Sequence, residues 1–398
     1  MRPGLSALAL ALALAAPATA QTDPMTTLRA AAEQGVPAAE LELARRFEAG
    51  DGVLQNFARA AEWYARAAEA GSAEAANRLG RMHHAGLGVP QDLPRAIALL
   101  ERAAESGKAD YLNDLALVLE SVGADDAAAL ARAATLYRQA AEAGHVDAAV
   151  SLGVLLQDGR GVEKDPTAAA DLYRGAAEAG HARAQNNLGL LYVRGDGVAQ
   201  DYAEAARMFQ AAAEQGLPEA LTNLGVLYEN GFGVPQNDTL AAELYRQGGQ
   251  GDRARAGDAG PIYDPRLAPP PTDAAGLKAL EKAALAGDPV AEFQMAWLLL
   301  SATPREPRRT MQGAILMRRA AEAGHAPAMA NLALLYFEGT GLPQDYVLGQ
   351  MWLVLAGSGG FAGAAEISAL WTRRMTADQV NEAQARAEAL WTAQGVSK

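Results

Sequence analysis

The sequence contains no cysteine. Disulfides, thiolate metal sites, a cysteine nucleophile and a lipidated cysteine are excluded with it. Aromatic residues are scarce, at 6%. β-Branched runs and alternating patterns are nearly absent, which argues against a sheet. Positive charge is also in short supply: Lys and Arg total 34 against 47 Asp and Glu, for a net charge of −13. Such a chain repels nucleic acid and anionic membrane surfaces, so the expected partner is a protein with a neutral or basic surface. Long apolar runs are missing too. The longest lies in MRPGLSALALALALAAPATA, where Arg2 precedes an Ala/Leu stretch that ends at Ala18-Thr19-Ala20. A membrane-spanning helix needs roughly 20 apolar residues. This run is shorter and reads as a signal peptide over 1–20, cleaved after Ala20. The mature chain is expected in a periplasm or outside the cell, with no membrane insertion.

Catalytic signatures are equally thin. There is no Gly-x-Ser-x-Gly elbow, no serine followed at plus three by lysine, and no His-Glu-x-x-His or His-x-x-x-His pair. Arg194-Gly195-Asp196 spells an integrin tripeptide, but its glycine sits at a repeated turn. No cofactor or metal is expected.

What the chain does have is a period. The phrase Ala-Ala-Glu-x-Gly ends at Gly35, Gly71, Gly107, Gly144, Gly180, Gly216 and Gly324, with gaps of 36, 36, 37, 36, 36 and 108. A second phrase, Leu-Gly-x-x-Tyr-x-x-Gly-x-Gly-Val, lies around Leu79, Leu152, Leu188 and Leu224, with variants at Leu43 and Leu332. Each unit reads as two helices. Ala184, Leu188 and Tyr192 recur at helical spacing and mark one face of a first helix, A. Gly195 follows as a C-terminal cap. Asp201 with Glu204, and Asp165 before Pro166, open a second helix, B. A phosphate-binding Gly-x-Gly follows a strand and opens a helix. Here the glycines follow a helix, so they are turns.

The phrase Ala-x-x-x-Leu-Gly-x-x-Tyr-x-x-Gly-x-Gly-Val-x-x-Asp, then Ala-x-x-x-Tyr/Phe-x-x-Ala-Ala-Glu-x-Gly, resembles the Sel1-like repeat family, a relative of the tetratricopeptide repeats. The resemblance implies an all-α fold: a right-handed α-solenoid of helix-turn-helix units with helix A on the concave side. It also implies a non-catalytic envelope adaptor whose partners are proteins, such as sensor-kinase ectodomains, envelope assemblies or host proteins. The alternative it offers is a cell-wall or β-lactam-related enzyme or ligand-binding protein. Against that alternative stand the missing cysteines and the missing serine–lysine pair.

The repeat implies a division into an array over 21–249 of about six units, a Gly/Pro/Asp-rich linker over 250–276, a second block of about two units over 277–360, and a C-terminal helical cap over 361–398. Thr376 and Gln379 form a capping box that starts a last helix over about 377–393. The seventh unit carries a basic stretch, Arg305, Arg308, Arg309, Arg318 and Arg319, which reads as a solvated loop or a docking spot for an acidic partner. His145, His181 and His325 each follow a unit-closing glycine, where polar residues suit a helix start. The candidate partner-binding residues are those of helix A off the Ala184 face: Asn77 and Arg81, Val150 and Val154, Asn186 and Leu190, Thr222 and Val226. Either they line the concave groove or they pack against the neighbouring helix.

Overall fold

The computed structural model describes residues 23–123, 126–257, 261–304 and 306–393. The stretch 1–20, expected from the sequence to be a signal peptide, and Arg305 lie outside the described residues. Among those residues the regular structure is helical and no strand occurs. The helices are α1 (Pro24–Glu33), α2 (Pro37–Ala49), α3 (Phe57–Glu69), α4 (Ala73–Ala85), α5 (Leu93–Ala104), α6 (Ala109–Val122), α7 (Ala127–Glu142), α8 (Val146–Asp158), α9 (Pro166–Glu178) and α10 (Ala182–Arg194). They continue as α11 (Tyr202–Glu214), α12 (Pro218–Asn230), α13 (Asp238–Gly257), α14 (Ala274–Leu285), α15 (Pro289–Ser301), α16 (Pro307–Glu322), α17 (Ala326–Glu338), α18 (Tyr346–Ser358), α19 (Ala364–Thr372) and α20 (Ala377–Ala393). From α1 to α13 and from α14 to α19 each helix packs on the next, and α20 packs back on α18, so the chain is a solenoid of antiparallel helix pairs. α1 and α14 are unpaired B helices.

In four units the two helices are joined through one tyrosine ring. Tyr173 of α9 is fully buried and donates to Gln157 of α8 at 3.2 Å. Tyr137 and Tyr245 do the same to Glu120 and Glu229, at 2.9 and 2.7 Å, and Tyr64 to Glu48. Burial holds the Tyr64, Tyr137 and Tyr173 hydroxyls protonated, far above the usual phenol range. The glycine of the Leu-Gly pair makes room for the facing side chain: a Cβ on Gly153 would stand 2.5 Å from Tyr173, one on Gly189 2.7 Å from Phe209, and one on Gly80 2.8 Å from Leu100.

The two loop glycines differ in role. Gly195, at φ +69°, caps α10 as the sequence predicts. Gly197, at φ +74°, presses on the start of the previous B helix, where a Cβ would sit 2.2 Å from the Pro166 carbonyl oxygen. The first glycine therefore ends a helix and the second joins one unit to the next.

Asp201 and Asp165 cap α11 and α9 through backbone amides. Glu204 turns to Arg207 at 2.8 Å rather than back to the cap, so only half of that predicted box forms. The box at Thr376 and Gln379 forms in both directions, at 2.9 and 3.2 Å, and opens α20.

Two features go beyond a plain stack. Of the stretch 250–276, the first part is the tail of α13 and residues 261–273 form a non-helical strap before α14. In addition, α20 returns to the loops of the first units. Asn381 accepts from the Gly88 amide and donates to the Gly86 carbonyl, both at 2.8 Å. Gln384 accepts from the Phe57 amide at 2.8 Å, and Glu388 takes Asn56 at 2.7 Å and Arg59 at 2.8 Å. Leu54 of the first loop is buried in one core with Leu353 and Val354 of α18. The array is thus closed on itself. Asn381→Ala strands two backbone groups in that contact and should cost about 2 kcal/mol. Urea unfolding measures the loss, and hydrogen exchange at Gly88 locates it. Unchanged exchange there would contradict the closure.

Candidate partner-binding groove

The strap shows what the helix-A surface can do. Residues 261–268 run across α15 and α17 and are held through both main-chain and side-chain groups. Asn331, 2% exposed, accepts from the Ile262 amide at 2.7 Å and donates to the Ile262 carbonyl at 2.8 Å. Trp297 donates its indole N–H to Pro261 O at 2.8 Å. Gln294 donates to Ala268 O at 2.9 Å, and the Tyr263 hydroxyl closes on the same oxygen at 2.6 Å. Tyr263 packs edge-on to Trp297 with ring centroids 5.0 Å apart. Main-chain groups are gripped at Pro261, Ile262 and Ala268, a turn at Asp264–Leu267 lies between them, and the Tyr263 and Asp264 side chains are held as well. Main-chain contacts of this kind are one general way to hold a peptide.

Asp264 of the strap is 2% exposed and grips Arg266 with both oxygens at 2.9 Å. Those hydrogen bonds hold its carboxyl below the usual range. Asp264 also lies 3.5 Å from His325 Nε2. That contact belongs to a series. His145, His181 and His325 are N-caps, each accepting a backbone amide on Nδ1 at 3.1, 3.2 and 3.2 Å. With Nδ1 an acceptor, Nε2 carries the proton and faces an aspartate: Asp110 for His145 at 3.5 Å, and Asp147 for His181 at 2.8 Å. Both aspartates come from the helix A of the preceding unit. The histidines pair with aspartates across units rather than stacking with each other. For His325 the strap supplies the aspartate.

Burial lowers the His325 pKa, Arg266 adds to the depression, and Asp264 opposes it. The folded value therefore lies below the unfolded one, and the unfolded chain takes the proton first. The stability held at this site is complete above the free-histidine value of about 6.5 and is lost as pH falls through the folded value. The melting temperature should drop below that pH, and His325→Asn, which keeps a cap, should flatten the slope. An unchanged slope in the variant would place the proton uptake elsewhere.

In the first block the strap-holding positions are equally polar. Counted from the closing glycines, Gln294 and Asn331 match Arg78, Asp114, Ser151, Asn187 and Asn223, and Trp297 matches Arg81, Leu117, Val154, Leu190 and Val226. Arg81, Leu117 and Val226 are exposed, and Val154 and Leu190 are half-buried. Asn77, Val150 and Asn186 are buried. Asn77 donates to Asp114 at 2.9 Å, and Asn186 accepts from Asn223 at 2.8 Å, so these asparagines fasten one unit to the next. Thr222 is exposed and donates to Pro218 O at 3.1 Å. Spacing within one helix identifies residues off the intra-unit face but not those covered by the following unit.

A Sel1 repeat profile matches residues 37–72, 73–108, 124–145, 146–181, 182–217, 218–251, 289–325 and 326–361. The chain belongs to the Sel1 repeat family. Two solved Sel1-type structures are similar. One is c5321, a protective antigen present in uropathogenic Escherichia coli strains displaying an SLR fold, at 27% identity, covering 94% of this chain and 90% of that one, with a TM-score of 0.52. The other is a Sel1 repeat protein from Oxalobacter formigenes, at 29% identity, covering 56% of this chain and 89% of that one, with a TM-score of 0.51. No curated protein matches the sequence.

The basic stretch of the seventh Sel1 unit is mostly engaged. Arg309 pairs with Glu306 at 3.2 Å, Arg319 with buried Glu292 at 2.5 Å, and Arg318 donates to the Tyr336 hydroxyl at 3.1 Å. Among the described residues no helix is long and apolar enough to cross a membrane, and no group of three or more His, Asp or Glu is placed to hold a metal ion.

Proposed function

We propose that this Sel1 protein is a non-catalytic scaffold that holds a short non-helical stretch of a partner protein along helix A of its first block. The observation that carries the reading is the strap: the last units already hold 261–268 through Asn331, Gln294 and Trp297. In the first block, Asn187 and Asn223 occupy the amide positions, with Leu190, Val226, Val154 and Arg81 beside them, while Asn77 and Asn186 keep neighbouring units in register. The leader-like stretch 1–20 supports export to a periplasm or beyond. The family likeness supports a binding role.

A photo-crosslinker at position 190 or 226 tests this directly in the native envelope. It should trap one partner, and Asn187→Arg with Asn223→Arg should abolish the adduct. Adducts that persist in that double variant, or that form only from an outer position such as 207, would overturn the reading.

A further inference from the structure

Between consecutive B helices each unit has a slot, and in several units the chain fills it from five residues before the closing glycine. Arg66 of α3 donates to Ala32 O at 3.0 Å, pairs with buried Glu40 at 2.8 Å, and lies 4.4 Å above the Trp63 ring. Arg102 of α5 donates to Ala68 O at 2.8 Å. Arg319 of α16 pairs with Glu292 at 2.5 Å. In α9 the same position is Gly175, and the counterpart of Glu40 is Ala149. The neighbouring Arg174 is drawn outward to Asp171 at 2.5 Å. A Cβ on Gly175 would meet nothing within 4 Å. A crevice of about 730 Å³ opens there, walled by Leu152, Leu156 and Leu172, with Ala141 at its edge and three carboxylates, Glu142, Asp165 and Asp171, against one guanidinium, Arg138. The Ala141 carbonyl is the counterpart of Ala32 O and Ala68 O. It accepts the Gly144 amide at 2.9 Å, as they accept theirs, but it has no arginine. It stands at the C-terminal end of α7, where the helix dipole favours a cation.

We propose that this slot binds an arginine side chain of a partner protein. The guanidinium donates to Ala141 O with Glu142 as counter-charge, and the aliphatic stem lies along Leu172. The chain itself shows what the slot takes, because arginine fills it in three other units. The net charge of −13 favours a basic partner. This site is on the outer helices and does not depend on the groove reading.

The test is a titration of the methyl-labelled full chain with N-acetyl-arginine amide, followed by NMR. Saturable shifts are expected at Leu152, Leu156 and Leu172 and not at Leu224. Gly175→Arg should fill the slot in cis and weaken the titration at least tenfold, while Gly175→Ala, which clashes with nothing, should leave it in place. Glu142→Gln should weaken it about threefold, the size of one exposed ion pair. Equal shifts from N-acetyl-norleucine amide would reduce the slot to an apolar crevice and overturn the assignment. So would an unaltered titration in Gly175→Arg, or no saturable shift at all.

Discussion

Gly197→Ala is expected to be the most damaging single methyl in the array. At φ +74° an L-residue carries a left-handed penalty of about 1–2 kcal/mol. The new Cβ would also stand 2.2 Å from Pro166 O and 2.7 Å from the Thr167 amide, both main-chain atoms that cannot rotate aside. Relieving that overlap means separating the fifth unit from the start of α9, so we expect a total of about 3–4 kcal/mol. Gly180→Ala is the matched control. Gly180 has φ +85° with nothing within 4 Å of a Cβ, so it carries the backbone penalty alone. Urea unfolding of both variants separates the two contributions. Equal losses would mean that the loop does not press on the neighbouring helix as described.

Asn331→Leu should release the strap. The native side chain makes three hydrogen bonds, to Ile262 N, Ile262 O and Pro327 O. Leucine satisfies none of them, and the half-buried Ile262 amide and carbonyl lose their partners. The expected loss is about 3–5 kcal/mol, mostly the desolvation of unpaired polar groups. Hydrogen exchange at Ile262 should accelerate by about a hundredfold to a few thousandfold, in proportion to that energy. Continued protection of this amide would show that Trp297 and Gln294 hold the strap without Asn331.

The helix pairs were legible because their signals are local. Turn glycines such as Gly195, caps such as Asp165, and the Thr376–Gln379 box each act within one turn of helix, and the period repeats them. The second loop glycine was read as part of the same turn, because its reason lies in the preceding unit, at Pro166. The strap was less legible. Gly, Pro and Asp in 250–276 predict broken helix, but docking of 261–268 depends on Trp297 and Asn331, which nothing local connects to it. Asp264 is one more acidic residue of a Gly/Pro/Asp-rich stretch in the sequence, and its role depends on His325, whose preceding helix A has Val290 where Asp110 and Asp147 serve His145 and His181. The candidate groove residues show the same limit. Helical spacing groups Asn77 with Arg81 and Asn186 with Leu190, yet one member of each pair is sealed by the next unit and the other is left open or partly so. The period itself holds a further clue: the position that carries arginine at 66, 102 and 319 carries Gln139, Gly175 and Ala211 in the units between, and Gly175 has no side chain to occupy it.

The return of α20 onto the first loops has a consequence for the history of the chain. An open array tolerates the duplication or loss of one repeat, because only its ends change. Here Asn381 must meet Gly86 and Gly88 after a full circuit of the chain, so inserting or deleting one unit anywhere between them would carry the latch away from its keeper. The number of repeats is therefore under structural selection. Length variation among descendants of this protein should fall in loops and at the termini and avoid whole units.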